Sequence, residues 1–119
     1  LDVTAFAEGP RRWLYPTLVA ELENQVNVDF IAYSLWKVLT VRAALRIVFC
    51  YRKEREDVGE LVSFLNREVV EALGVATRAG LEGETLLVVG TRAEASTFPH
   101  GFFAWFALER NAGRFTTLH

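Results

Sequence analysis

The sequence predicts an α/β fold, a mixed central sheet flanked by helices. Three observations carry that reading. Two apolar runs, residues 44–51 and 85–90, are rich in β-branched and aromatic residues and have the length of strands. Two longer stretches, 28–42 and 58–73, carry helix signals, and one stands before each of those runs. Two further strand-like segments, 1–7 and 13–23, meet at a Gly-Pro turn signal before the first helix. A hairpin entering a strand–helix–strand unit gives a mixed sheet, because the crossover makes the strands it joins parallel.

Each element has its own warrant. Residues 1–7 alternate loosely, as a strand does, and Glu8-Gly9-Pro10-Arg11-Arg12 supplies turn chemistry. Segment 13–23 reads as a strand made irregular by Pro16, since proline removes a ladder donor. Asn27 is placed as a helix N-cap, with Asp29 in the first turn complementing the helix dipole. The helix over 28–42 is apolar on nearly every side, which predicts a mostly buried element. Residues 44–51 hardly alternate, which predicts a strand covered on both faces. A charged loop, 52–57, leads to an amphipathic helix with Val58, Leu61, Val62, Leu65, Val69 and Leu73 on one face and Gly74 as its stop. Strand 85–90 follows, and then 102–109 and 114–118 form a hairpin across Asn111-Ala112-Gly113.

Composition bounds the function. The chain of 119 residues is one domain by length, and 51% hydrophobic content excludes a disordered chain. A net charge of -2 excludes a surface coated in basic residues for indiscriminate nucleic-acid binding, though not a local basic patch. The single Cys50 excludes a disulfide framework and a cysteine-rich zinc site, and two histidines weigh against a histidine-built one. Cys50 reads as buried and inert, and His100 is assigned no role. No signal peptide or stop-transfer pattern is visible, and the longest apolar stretch, 30–44, is interrupted by Lys37 and Arg42. The expectation is a soluble cytoplasmic protein without a membrane partner. The abrupt start at Leu1 adds the expectation that an N-terminal part precedes it.

The chemistry concentrates in Glu21-Leu22-Glu23. Strand side chains alternate, so Leu18, Ala20 and Leu22 are expected to face the core and Glu21 and Glu23 to share the other face, ~7 Å apart. They stand at the C-terminal end of a strand, where α/β sheets favour ligand sites. Asp2 falls opposite Glu21 if the connecting loop is centred between Arg11 and Arg12, and near Thr17 if the turn is tight on Gly9-Pro10. Oxygen clusters of this kind suit Mg²⁺ or Mn²⁺. Lys37, inside an apolar helix, needs a partner or an outlet to water, and Tyr33 lies one turn before it. Against this stand simpler readings: paired glutamates as a solvated strand edge, and a lysine that snorkels to the surface. Trp13, Trp36 and Trp105 read as core or interface residues.

Together Asp2, Glu21-Leu22-Glu23 and Lys37 resemble the PD-(D/E)XK, or restriction-endonuclease-like, nuclease superfamily. Its core is helix–strand–strand–strand–helix–strand, with an Asp on the second strand and (D/E)-x-K ending the third. Asp2 resembles the first motif and Glu21-Leu22-Glu23 the second, over residues 1–73, with strands in 84–118 appended. Glu23 stands where the family's lysine normally is, and Lys37 looks like a lysine migrated to the following helix. The resemblance implies that a first helix and strand are absent from this chain. It also implies metal-dependent hydrolysis of phosphodiester bonds in DNA, with RNA left open. Asp2 and Glu21 would be metal ligands, and Glu23 and Lys37 catalytic groups. Arg11, Arg12, Arg52, Lys53, Arg55 and Tyr33 are weaker candidates for nucleic-acid contact, since Glu54, Glu56 and Asp57 are interleaved with the loop cations. The alternative is a non-catalytic member acting as a nucleic-acid-binding or assembly subunit. A third reading is an interaction module in which Phe102, Phe103, Trp105 and Phe106 form a homodimer surface.

Overall fold

The computed structural model describes residues 1–9 and 14–118. Arg11, Arg12 and Trp13 lie outside the described residues. The fold is mixed α/β. Its strands are β1 (Val3–Ala5), β2 (Leu18–Leu22), β3 (Leu45–Arg52), β4 (Glu84–Thr91), β5 (Phe103–Glu109) and β6 (Arg114–Thr117), and its helices are α1 (Val28–Leu39), α2 (Glu56–Leu65) and α3 (Val75–Ala79). The strands form one sheet in the order β1-β2-β3-β4-β5-β6, with β2, β3 and β4 parallel and the outer pairings antiparallel.

Helices on both faces are not what forms. From β2 to β4 the chain steps across the sheet in one direction, and crossovers of one hand then return over the same face. Ile31, Leu35 and Val38 of α1 and Val58, Leu61 and Leu65 of α2 accordingly share one core with Val19, Val48, Cys50, Leu87 and Val89 of the sheet. This also reverses the expected orientation of β2. Val19 and Glu21 point into the helix-covered side, while Leu18 and Leu22 lie on the opposite face, and Leu22 is 45% exposed.

The second face is apolar although no helix of the core covers it. The strand registers align Leu22, Phe49, Val88 and Trp105 across β2 to β5, and Ala20, Ile47, Leu86 and Ala107 beside them. Strand β3 therefore has the composition of a doubly covered strand, but its burial alternates. Trp105 is 43% exposed on this face, whereas Phe106 packs against the core on the other. Alternation along β5 thus splits the four residues expected to form one dimer surface.

The remaining corrections are local. Strand β1 is shorter than residues 1–7, and β2 begins only at Leu18, past the irregular stretch around Pro16. Helix α1 starts as expected, with the Asn27 side chain accepting from the Asp29 N–H, but ends at Leu39. The Thr40 hydroxyl donates to the Lys37 carbonyl there, and Arg46, only 1% exposed, donates from Nε to the Val41 carbonyl. Residues 58–73 are not one regular helix. A π-helical turn, Asn66–Val70, follows α2 and lets the consecutive Val69 and Val70 both be buried. Within that turn Asn66 accepts a hydrogen bond from the Phe115 N–H of β6 at 2.8 Å. Gly74 stops the helix at φ 81°, and α3 and a 3₁₀ segment, Arg92–Thr97, are elements that the apolar pattern did not reveal. No helix among the described residues is long and apolar enough to cross a membrane.

Candidate active site

The site is assembled where β1, β2 and α1 meet. Val3 pairs with Ala20, Thr4 with Val19 and Ala5 with Leu18, so the same register sets Asp2 opposite Glu21. Of the two registers considered, the one that sets Asp2 opposite Glu21 is the one that forms. Asp2 is pinned to its neighbour: its N–H donates to the Ala20 carbonyl, and its Oδ2 accepts from the Leu22 N–H at 2.7 Å. The Leu22 N–H, and secondly hydrogen bonding with the Glu21 carboxyl, hold the Asp2 carboxyl below the usual aspartate range.

Glu21 is only 4% exposed, a burial that a carboxylate tolerates only with a partner. Lys37 supplies it from α1: its Nζ lies 2.6 Å from Glu21 Oε1 and 5.1 Å from the Tyr33 ring centre. The lysine therefore neither simply snorkels nor leaves Glu21 as a solvated edge. At 2.6 Å the two form a close ion pair, and the Glu21 oxygen is shielded from solvent. Pairing with Glu21 raises the Lys37 pKa, while desolvation pulls less strongly the other way.

Both shifts carry a sign. The Asp2 contribution is present above the ordinary aspartate value of about 3.9 and is lost as pH falls through the lower folded value. The Lys37 contribution is present below about 10.4 and is lost as pH rises through the higher folded value. Between those limits Lys37 is charged. An NMR titration of the Lys37 ammonium is expected to fall above about 10.4, and Glu21→Gln is expected to return it toward that value.

Glu23 is not drawn into this group. The β2 ladder continues through its N–H, which donates to the Phe49 carbonyl. Its carboxylate turns to the β2–α1 connection instead, with Oε2 accepting from the Ser34 hydroxyl and Oε1 from the Gln25 N–H, both at 2.9 Å. Ser34, buried in α1, is the site residue that sequence reasoning missed. The signal was the one that exposed Lys37, a polar side chain inside an apolar helix.

The donor set bears on a metal in two ways. Asp2 and Glu21 offer the hard oxygens that Mg²⁺ takes, one or two carboxylates at a time, but Glu21 Oε1 is already engaged by the Lys37 ammonium at 2.6 Å. Among the described residues no group of three or more His, Cys, Asp and Glu side chains is placed to hold a metal. The three-carboxylate cluster expected from sequence is therefore a pair plus a separately bonded Glu23.

Of the weaker candidates among the described residues, Tyr33 stands beside Lys37, while Arg52, Lys53 and Arg55 disperse. Arg52 ends β3, and its guanidinium donates to the Val26 carbonyl, tethering the loop before α1. Lys53 is exposed, and Arg55 pairs with Glu94 at 3.4 Å. Cys50 is buried, and desolvation pushes its thiol up to about 12, so it stays protonated at neutral pH. Comparison of the chain with protein families, with curated proteins and with solved structures finds no match in any of the three.

Proposed function

We propose that the chain is a metal-dependent nuclease hydrolysing phosphodiester bonds of DNA, on a core of the restriction-endonuclease-like kind. The observation that carries this reading is the ion pair between Lys37 on α1 and the buried Glu21 on β2, with Asp2 opposite Glu21 on the next strand. A solvated edge would not bury a glutamate, and core packing alone does not call for a third charged side chain beside the pair. The order β1, β2, α1, β3 supports the same reading, because it supplies the strand–strand–helix–strand portion of that family's core.

Asp2 and Glu21 would hold Mg²⁺ or Mn²⁺. When bound, such a metal supplies a Lewis acid and an activated water. The chain's own residues do the rest. Lys37 presents a cation where a phosphate would meet two carboxylates, offsetting their repulsion. Glu23, through Ser34 and the Gln25 N–H, fixes the turn that delivers α1 and its lysine onto β2. It acts here as a positioning residue.

The test is cleavage of plasmid and single-stranded DNA by the full-length protein with Mg²⁺ or Mn²⁺. Glu21→Ala is expected to lower the rate by about 10²–10³-fold, the scale of removing one charge-stabilising group. Undiminished cleavage would overturn the assignment. The engagement of Glu23 with Ser34 favours a second reading, a non-catalytic member that keeps the fold as a nucleic-acid-binding or assembly subunit. Mg²⁺ binding weaker than ~1 mM in a titration would select it.

A further inference from the structure

Helix α1 is expected from sequence to be buried on nearly all sides, and it is not. Phe30, Tyr33 and Trp36 are 52%, 56% and 47% exposed. Their three-residue spacing sets them along one flank of the helix. The Tyr33 and Trp36 ring centres are 6.0 Å apart and tilted by 35°, so these rings are not stacked face to face on each other. The flank runs directly into the site, because the Lys37 ammonium lies 5.1 Å from the Tyr33 ring centre and 2.6 Å from Glu21.

We propose that Phe30, Tyr33 and Trp36 form a stacking platform for the unpaired bases of a single-stranded nucleic acid that passes the Lys37–Glu21 pair. The inference rests on the nuclease reading for what happens at that pair, but base binding itself does not require cleavage. Aromatic side chains that remain in water are costly unless a flat apolar partner covers them, and every base has such a face. In a duplex those faces are already stacked on neighbouring bases, so the platform selects unpaired strands. A base on Tyr33 brings its backbone within reach of Lys37, which matches a phosphate to the cation beside the flank. A protein partner fits less well. Aromatic side chains present ~150–250 Å² each, so three that are half exposed offer roughly 300 Å², short of the ~800 Å² per partner of a stable protein interface.

The experiment uses the full chain with Trp13→Phe and Trp105→Phe, leaving Trp36 as the sole indole, in EDTA. Titration with an oligo(dT) single strand is expected to quench Trp36 emission, and a duplex of equal length is expected to quench it far less. Phe30→Ala or Tyr33→Ala is expected to weaken oligo(dT) binding by about 5- to 100-fold, from the worth of one stacked base. Glu21→Gln is expected to keep the quench while losing cleavage in Mg²⁺. A quench without cleavage by any variant would overturn the nuclease reading and leave the platform standing. Cleavage with no quench and no effect of Phe30→Ala would overturn the platform alone. If Phe30→Ala instead turns a sedimenting dimer into a monomer and leaves oligo(dT) binding unchanged, the flank is a protein interface and the proposal falls.

Discussion

Gly83→Ala is expected to destabilise the fold by about 2–5 kcal/mol. The residue stands at φ 74° in the connection from α3 to β4, where a Cβ would lie 2.4 Å from both the Ala43 and Ala44 carbonyl oxygens. Two costs add. The left-handed conformation costs a non-glycine residue roughly 1–2 kcal/mol, and forcing atoms into a filled space costs roughly 1–3 more. Backbone oxygens cannot swing aside as a side chain can. They also belong to the connection that enters β3, which the Glu84 N–H grips through the Ala44 carbonyl at 2.9 Å. The strain therefore falls on the β3–β4 pairing at the centre of the sheet. Thermal unfolding should show a midpoint lower by roughly 8–20 °C, given about 4 °C per kcal/mol at this chain length. A midpoint within 3 °C of the parent would contradict this account.

On the proposed nuclease reading, Lys37→Met is expected to lower DNA cleavage by about 10²–10³-fold, and on any reading to destabilise the fold by about 1–3 kcal/mol. The two losses have different causes, and a second substitution separates them. Removing the ammonium leaves the Glu21 carboxylate shielded and without its counter-ion. Adding Glu21→Leu removes that stranded charge and fills its space, so the double variant should recover most of the stability. Activity should stay lost, because neither the carboxylate nor the cation is then present. Denaturant melts of the four proteins, read beside their cleavage rates, make the comparison. Recovered activity in the double variant would show that the pair is purely structural.

What sequence made legible was mostly local or tied to charge. Asn27 as N-cap, Gly74 as stop and the hairpin across residues 111–113 follow from backbone rules that act within a turn. Lys37 declared itself because a cation in an apolar helix needs a partner or an outlet to water, and Glu21 is the partner it meets. The Asp2–Glu21 juxtaposition was legible only as one of two registers, since loop geometry, not composition, decides between them.

What stayed hidden depends on how layers stack. The run 44–51 is apolar on both sides, so nothing in it reveals that helices take only one. For the same reason Leu18 and Leu22 competed with Val19 for the core side of β2, and the helix crossing decided it. The exposed flank of α1 was invisible because Phe30, Tyr33 and Trp36 have the composition of core residues. The partners of Glu23 were hidden too, since a serine inside α1 and a backbone N–H two residues on are what satisfy its oxygens.

The apolar second face of the sheet has a consequence for how the chain behaves in solution. In the row of Leu22, Phe49, Val88 and Trp105, Val88 is buried, but Leu22 and Trp105 at its two ends are 45% and 43% exposed, and the cost of such apolar surface rises with the surface tension of the solvent around it. Sulfate and other strongly hydrated salts raise that cost, and cooling lowers it. The chain on its own is thus most dispersed in the cold at low salt and salts out early. Its response to salt should therefore follow its exposed apolar surface as well as the net charge of -2 that its composition advertises.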